Sequence, residues 1–222
     1  MNIAAIGSQE RLEELNLILS SAGLTYTRLE STKNIQNEVY DIVFDLNFDD
    51  RPGSISDYVN LAPSTQLFLS CVKIQLEACV PSKLWAQVIG INAMPTFLKR
   101  NALEYCTLKN EPDETIIKSL GWKEANRTTS RVGLVSARVI CMIINEAYYT
   151  LQEGTAGRAD IDKGMKLGTA YPLGPFEWCE LIGVKEVFET LKALNDDTND
   201  ERYRICSMLK TDCLKSIHSC PD

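Results

Sequence analysis

Residues 2–15 read NIAAIGSQERLEEL, and this stretch decides the architecture of the first half of the chain. Residues 2–6 form a short apolar run closed by Gly7-Ser8, the pattern of a buried strand that ends in a turn. From Gln9 to Ala22, Leu12, Leu15, Leu17, Ile18 and Leu19 recur at near-helical spacing, and Gly23 stands where a helix C-cap belongs. Strand, turn and helix in that order open a βαβ unit. Outward from it, residues 25–29 (TYTRL), 41–46 (DIVFDL), 66–70 (QLFLS) and 88–91 (VIGI) predict four further short strands. Short apolar strands separated by helical patterns indicate a parallel sheet.

The second half follows a different rule. Residues 112–120 predict a short amphipathic helix with Pro112 at its first position, and residues 122–131 are polar without a periodic pattern. Residues 134–151, LVSARVICMIINEAYYTL, form the most apolar helical segment and leave little polar face, so burial nearly all round is expected. Residues 161–167 predict another helix, with Asp160 as N-cap and Gly168 as its stop. Gly174-Pro175-Phe176-Glu177 opens the next one, with Pro175 at the first helical position. The acidic run at residues 196–201 is expected to be a solvated loop. No strand signal follows residue 133. The chain therefore divides near residues 126–132, into an α/β domain (1–128) and an all-α domain (129–222).

Composition narrows the function. The 222 residues carry 23 Lys and Arg against 30 Asp and Glu, a net charge of −7, and the pI is near 4.9. No basic excess exists to grip a phosphate backbone, so no nucleic-acid partner is expected. No apolar run approaches the ~18 residues of a spanning helix, so no membrane partner is expected either. The first residues lack a basic start followed by an apolar stretch, which argues against a secretory signal and for a cytoplasmic protein. Eight cysteines, at 71, 79, 106, 141, 179, 206, 213 and 220, form no CxxC pair and sit mostly in apolar sequence, as reduced buried hydrophobes do. With a single histidine, His218, close to the end of the chain, no metal site is expected.

Five short stretches go beyond fold class. ADIDKGMKLG (residues 159–168) is followed by YPLGPFE (171–177), GLVSAR (133–138) and INEA (144–147) lie upstream, and Glu201-Arg202-Tyr203-Arg204 lies downstream. Over residues 130–210 this pattern resembles the C-terminal helical domain of 3-hydroxyacyl-CoA dehydrogenases, NAD-dependent enzymes of fatty-acid metabolism acting on 3-hydroxybutyryl-CoA and longer relatives. The first half resembles, more faintly, the same family's Rossmann domain in a shortened form. The resemblance implies NAD as cofactor, an acyl-CoA ligand and a homodimer formed through the C-terminal helices. Residues 134–151, too apolar for water in so small a domain, agree with that dimer.

The resemblance also implies site positions, and most of them have changed. The family's GxGxxG turn, whose glycines make the turn, admit the pyrophosphate and pack helix on strand, is matched by Gly7, Gln9 and Leu12. Gln9 places a side chain on the pyrophosphate site, and Glu10 adds negative charge where an anion should bind. Glu30, 23 positions after Gly7, matches the acid that holds the ribose hydroxyls; it is equally a surface carboxylate at a strand end. The family's helical hairpin after strand two is missing, since residues 31–40 leave room only for a connector. After VIGI, Asn92 holds the position of the catalytic histidine and Pro95 that of an asparagine, while Glu104, twelve residues on, matches the glutamate that orients the histidine. Cys71-Val72-Lys73-Ile74 replaces Asn-Thr-Ser-Ser, which puts Lys73 or a neighbour in place of a serine, and Ala137 replaces an asparagine beside the retained Arg138.

Two readings follow. In the first, the chain is a degenerate paralogue, a binding or scaffold protein not competent for hydride transfer. In the second, it is an active oxidoreductase rebuilt around Glu104, Lys73 and Asn92. Asparagine accepts no proton near pH 7, and loss of acid–base help alone costs ~10²–10⁴ in rate, which favours the first. As bland alternatives, Glu104 is a carboxylate at a strand edge and Lys73 a solvated lysine.

Overall fold

A computed structural model of the chain describes residues 1–109 and 114–218, the side chains of Asn37 and His218 excepted. It forms two compact units, Met1–Leu134 and Val135–Asp222.

In the first unit, β1 (Ile3–Ile6) leads through Ser8, whose Oγ faces the Arg11 amide at 3.5 Å, into α1 (Gln9–Ser21). Gly23, at φ +71°, turns the chain out of that helix, with its N–H and that of Leu24 donating to Ser20 and Leu19. Next come β2 (Thr27–Arg28), a 3₁₀ turn at Thr32–Asn37, and β3 (Ile42–Asp45). Two 3₁₀ turns, Phe48–Asp50 and Pro52–Ser54, lead to the single turn α2 (Ile55–Tyr58) and then β4 (Gln66–Ser70). After it come α3 (Leu76–Cys79), a 3₁₀ turn at Ser82–Leu84, β5 (Val88–Ile91), β6 (Ala102–Thr107), α4 (Glu114–Ser119) and β7 (Glu124–Arg127). The strands form one sheet in the order β2-β1-β3-β4-β5-β6-β7, parallel except where β6 runs against β5. Alternation along the strands splits the core. Ile3, Ala5, Ile42, Phe44 and Phe68 pack beneath α1 and Trp122, while Ala4, Ile6, Val43, Leu67 and Leu69 face the other way, toward Phe48, Tyr58 and Leu76.

The second unit holds α5 (Ser136–Gln152), α6 (Arg158–Thr169), α7 (Pro175–Ile182), α8 (Val184–Thr198), a 3₁₀ turn at Glu201–Tyr203, and α9 (Ser207–His218). Its framework contacts come from the stretches that carry the family pattern. Arg138 donates to the Tyr203 hydroxyl (2.7 Å). The Asn145 amide, fully buried, donates to the Arg204 carbonyl (3.0 Å) and accepts from Cys206 N–H (2.9 Å).

Several expectations need correction. The segment at 122–131 contains β7, and β6 precedes it. β7 is an edge strand whose only partly buried residue is Ala125, so its sequence carries no apolar alternation. The expected strand at 25–29 shrinks to two residues. α5 is not buried all round: Ala137, Cys141, Ile144 and Tyr148 lie on a buried face, whereas Val139 is half exposed. α6 begins at Arg158, with Gly157 as N-cap, so Asp160 belongs to its first turn. The helix runs through Gly168 and stops where Ala170 turns left-handed at φ +55°. The acidic run is not all loop, because α8 continues through Asp196 and Asp197 to Thr198 before Asn199 caps it. Pro112 lies outside the described residues, as does Cys220; among the described cysteines all are buried except Cys79, which is half-buried.

The pairing of DIDKG with LGPFE has a physical cause. Gly174 caps α7 but has no side chain to offer the first-turn amides. Asp162 of α6 supplies the acceptors instead, taking Phe176 N–H (2.8 Å) and Glu177 N–H (3.3 Å). A Cβ at Gly174 would stand 2.3 Å from Asp162, so glycine is required by this close approach. Glu177 completes the cap by accepting from Gly174 N–H (2.8 Å), and Lys166 pairs with it at 2.5 Å. Asp162→Ala should therefore destabilise the helical unit by ~1–2 kcal/mol in urea unfolding. Gly174→Ala should cost at least as much, although alanine is the better helix former; an unchanged midpoint for both would remove the capping role.

Candidate functional site

Because β1 is flanked by β2 on one side and β3 on the other, the order in which successive strands are added reverses at β1, although all three run parallel. The crevice beyond their carboxyl ends is where a doubly wound sheet places ligands. Gly7 lets the two strand ends close up, since a Cβ there would stand 2.9 Å from that of Leu46. Ser8 N–H, the donor next in line, is taken by Asn47 Oδ1 (2.8 Å), and Asn47 Nδ2 donates to Asp50 (3.1 Å).

Gln9 is exposed, and its amide bridges Glu13 (2.8 Å) and Arg28 (2.6 Å) along the first turn of α1. Arg28 also pairs with Glu30 at 3.3 Å, and Glu30 is 79% exposed. Three of the positions picked out at this end, Gln9, Leu12 and Glu30, thus fall along one side of α1 and β2. There Gln9, Leu12, Glu13, Asn16, Tyr26 and Arg28 line an open cleft of about 440 Å³.

The strand ends on the other side carry a group of charges that sequence reasoning missed. Arg11, buried, donates to the Leu46 carbonyl and lies 3.9 Å from Asp49 and 4.0 Å from Asp50. Asp49 accepts from two successive amides beyond β4, Val72 N–H (2.9 Å) and Lys73 N–H (3.3 Å). The Lys73 ammonium is bonded to Asp50 and only 8% exposed, so the expectation of a solvated lysine is overturned. Burial pushes the Asp49 carboxyl above its ordinary range, against the pull of Arg11 and Lys73. Asp50 is less buried, and Lys73 and Arg11 outweigh its desolvation and hold it below that range. Asp45, at the end of β3, is held by the Tyr58 hydroxyl and Arg51, both at 2.7 Å. The signal was present as Asp45, Asp49 and Asp50 following an apolar strand. It was unreadable because carboxylates after a strand are ordinarily solvated.

Asn92 and Glu104 do meet. Antiparallel pairing of β5 and β6 puts Asn92 N–H on the Glu104 carbonyl (3.0 Å), and the Asn92 amide donates to the Glu104 carboxylate (3.0 Å). The other end of that amide accepts from Met94 N–H (3.2 Å). Glu104 sits inside the sheet on β6, buried, so the expected strand-edge carboxylate is also corrected. Cys71 lies 3.7 Å from Cys106, and that contact together with burial raises its thiol pKa well above the ordinary range. Pro95 and Thr96 follow, with Thr96 at φ +79° and its N–H on buried Glu14 (2.6 Å). Ala137 belongs to the helical unit, fully buried on α5.

Comparison with known proteins separates the two units. Residues 133–216 match the family model of the 3-hydroxyacyl-CoA dehydrogenase C-terminal domain. Over 82 residues the chain is 42% identical to the 3-hydroxyadipyl-CoA dehydrogenase of Escherichia coli K12, a stretch covering 37% of this chain and 17% of that protein. Over 72 residues it is 39% identical to the 3-hydroxybutyryl-CoA dehydrogenase of Bradyrhizobium diazoefficiens, covering 32% and 25%. The chain therefore matches only about a sixth to a quarter of the length of these curated relatives. The fold extends further: the crystal structure of (S)-3-hydroxybutyryl-CoA dehydrogenase from Ralstonia eutropha superposes with a TM-score of 0.72 at 18% identity, over 97% of this chain and 94% of that one. Residues 133–216 therefore belong to the family of the 3-hydroxyacyl-CoA dehydrogenase C-terminal domain, and the chain as a whole shares the fold of such an enzyme.

Proposed function

We propose that this chain is a non-catalytic member of its family, a homodimeric binding or scaffold protein that does not transfer hydride. The observation that carries this reading is Asn92. At the position matching the family's histidine stands an amide with both ends engaged, by Glu104 and by Met94 N–H. An amide has no basic lone pair near pH 7, so Asn92 cannot take the proton of a C3 hydroxyl as hydride leaves, and the buried Glu104 carboxylate beside it is already bonded to that amide. Lys73, the other candidate base, is bound to Asp50.

NAD does not fit the residues present. The Gln9 side chain spans the first turn of α1, the Ser8 amide is occupied by Asn47, and the Val72 and Lys73 amides are occupied by Asp49. A dinucleotide would have to displace all of these without the close backbone approach that a glycine at position 9 allows. An acyl-CoA is the ligand class that the relatives' names suggest for a binding role. The test is NADH oxidation with acetoacetyl-CoA, comparing wild type with Asn92→His. Both should stay at background, because restoring the ring leaves Gln9 and the other substitutions in place. Wild-type turnover near the ~10 s⁻¹ typical of enzymes would overturn the reading. A large gain from Asn92→His alone would show an intact surrounding site.

The dimer rests on the apolar surface of the helical unit. Met142, Ile143, Ala147, Ile161, Met165 and Pro175 line a groove of about 270 Å³, and Leu167 is 78% exposed. Apolar surface of this kind belongs in an interface. Light scattering at micromolar concentration should give twice the mass of one chain, and a monomer would defeat this part of the proposal.

A further inference from the structure

Within the helical unit, α5 to α9 converge on an open cleft of about 330 Å³. Tyr148 of α5, Arg158 of α6, Phe176 and Glu180 of α7, Val184 of α8 and Asp212 of α9 line it. The two aromatic rings meet edge to face, with centroids 5.1 Å apart. The Arg158 guanidinium lies over both, 5.1 Å from the Tyr148 centroid and 4.6 Å from that of Phe176. It also pairs with Asp212 Oδ2 at 2.5 Å, and the Tyr148 hydroxyl donates to the same oxygen (3.3 Å). Two ring faces and a carboxylate that converge on a guanidinium make a cation-selective surface. Arg158 does not saturate it. Asp212 Oδ1 has no partner among the described residues, and the same holds for the Glu180 carboxylate. Burial pushes the Cys179 thiol beside them up to about 11, and Arg158, Asp212 and Glu180 all act on it, so the three charges surround one point. Two acids against one arginine leave that point with an excess negative charge.

We propose that this cleft binds a small alkylammonium ion, whose –NH₃⁺ donates to Asp212 Oδ1 and Glu180 while its apolar stem lies along Val184 and Phe176. The inference goes beyond the non-catalytic reading and does not depend on it, because every residue it uses belongs to the helical unit. A monocation offsets the excess charge, and a primary ammonium carries three donors for the two carboxylates. Arg158 and Tyr148 already fix Asp212 by its other oxygen, so little side-chain freedom is lost when the ligand arrives. The volume stands at the low end of the ~300–1,000 Å³ of ligand pockets, which limits the occupant to a small molecule.

The probe is n-hexylammonium chloride, titrated into the full chain by calorimetry at an ionic strength held constant with sodium chloride. Hexyltrimethylammonium keeps the charge and the tail but has no N–H to donate, and hexanoate reverses the charge. Hexylammonium should bind saturably, the trimethyl form at least about fivefold more weakly, and hexanoate not at all. Asp212→Asn should weaken hexylammonium about tenfold, as expected for losing a charge-assisted hydrogen bond. Glu180 is exposed, so Glu180→Gln should weaken it only about threefold. Glu180 has no partner to lose, so that variant carries the test if Asp212→Asn does not fold. Absence of saturable binding in the wild type overturns the proposal. So does equal affinity for the trimethyl form or for hexanoate. An affinity that neither carboxylate variant changes also overturns it, since the tail alone would then account for binding.

Discussion

The first unit depends on one buried carboxylate. Asp49 receives the two amides that begin the segment after β4 and lies beside Arg11, which in turn holds the carbonyl of Leu46. Three segments that a doubly wound sheet otherwise leaves open to a ligand are thereby fastened to each other. A buried ion pair of this kind adds little net stability, because desolvating the charges offsets most of their attraction. Its larger effect is on specificity: the amides and cations at the strand ends have fixed partners, and alternative arrangements of the loops would strand a charge.

The two halves of the chain relate differently to the family. In the helical unit the recognisable residues are framework residues, and each has a contact that explains it. Asp162 caps α7, Glu177 closes that cap, Asn145 pins the segment before α9, and Arg138 holds Tyr203. None of these contacts involves proton or hydride transfer. Retention of these helical contacts is therefore independent of what stands at positions 92 and 73, where Asn92 pairs with Glu104 and Lys73 with Asp50. That separation is why a strong likeness over residues 133–216 supports the fold without carrying the activity.

Much of this was legible in the sequence, for physical reasons that differ by element. Strands β4 and β5 were placed to the residue because each is an apolar run buried on both faces, and α1 to within one residue because Gly23 supplies the positive φ just beyond its end. The pairing of Asn92 with Glu104 was reachable only through the resemblance, since no local rule joins residues that antiparallel strands bring together. β7 was illegible because an exposed edge strand has no apolar period to show. α6 was misplaced because glycine and aspartate were read by their local preferences alone. Asp160 is an ordinary first-turn acid and Gly168 lies within the helix, while the stop falls on Ala170, a residue with no preference for left-handed backbone. The Asp49 group was invisible because its meaning lies in long-range partners, with Arg11 38 positions upstream and Val72 23 downstream.

In the proposed reading, the crevice is closed to a dinucleotide by the chain's own side chains. Calorimetric titration of the full chain with NADH, run beside acetoacetyl-CoA, tests it most directly. The predicted result is no saturable heat with NADH, whatever the thioester does, because Gln9, Asn47 and Asp49 already occupy the donors and the space. Stoichiometric NADH binding at micromolar concentration, with the nicotinamide fluorescence shifted to the blue, would contradict it.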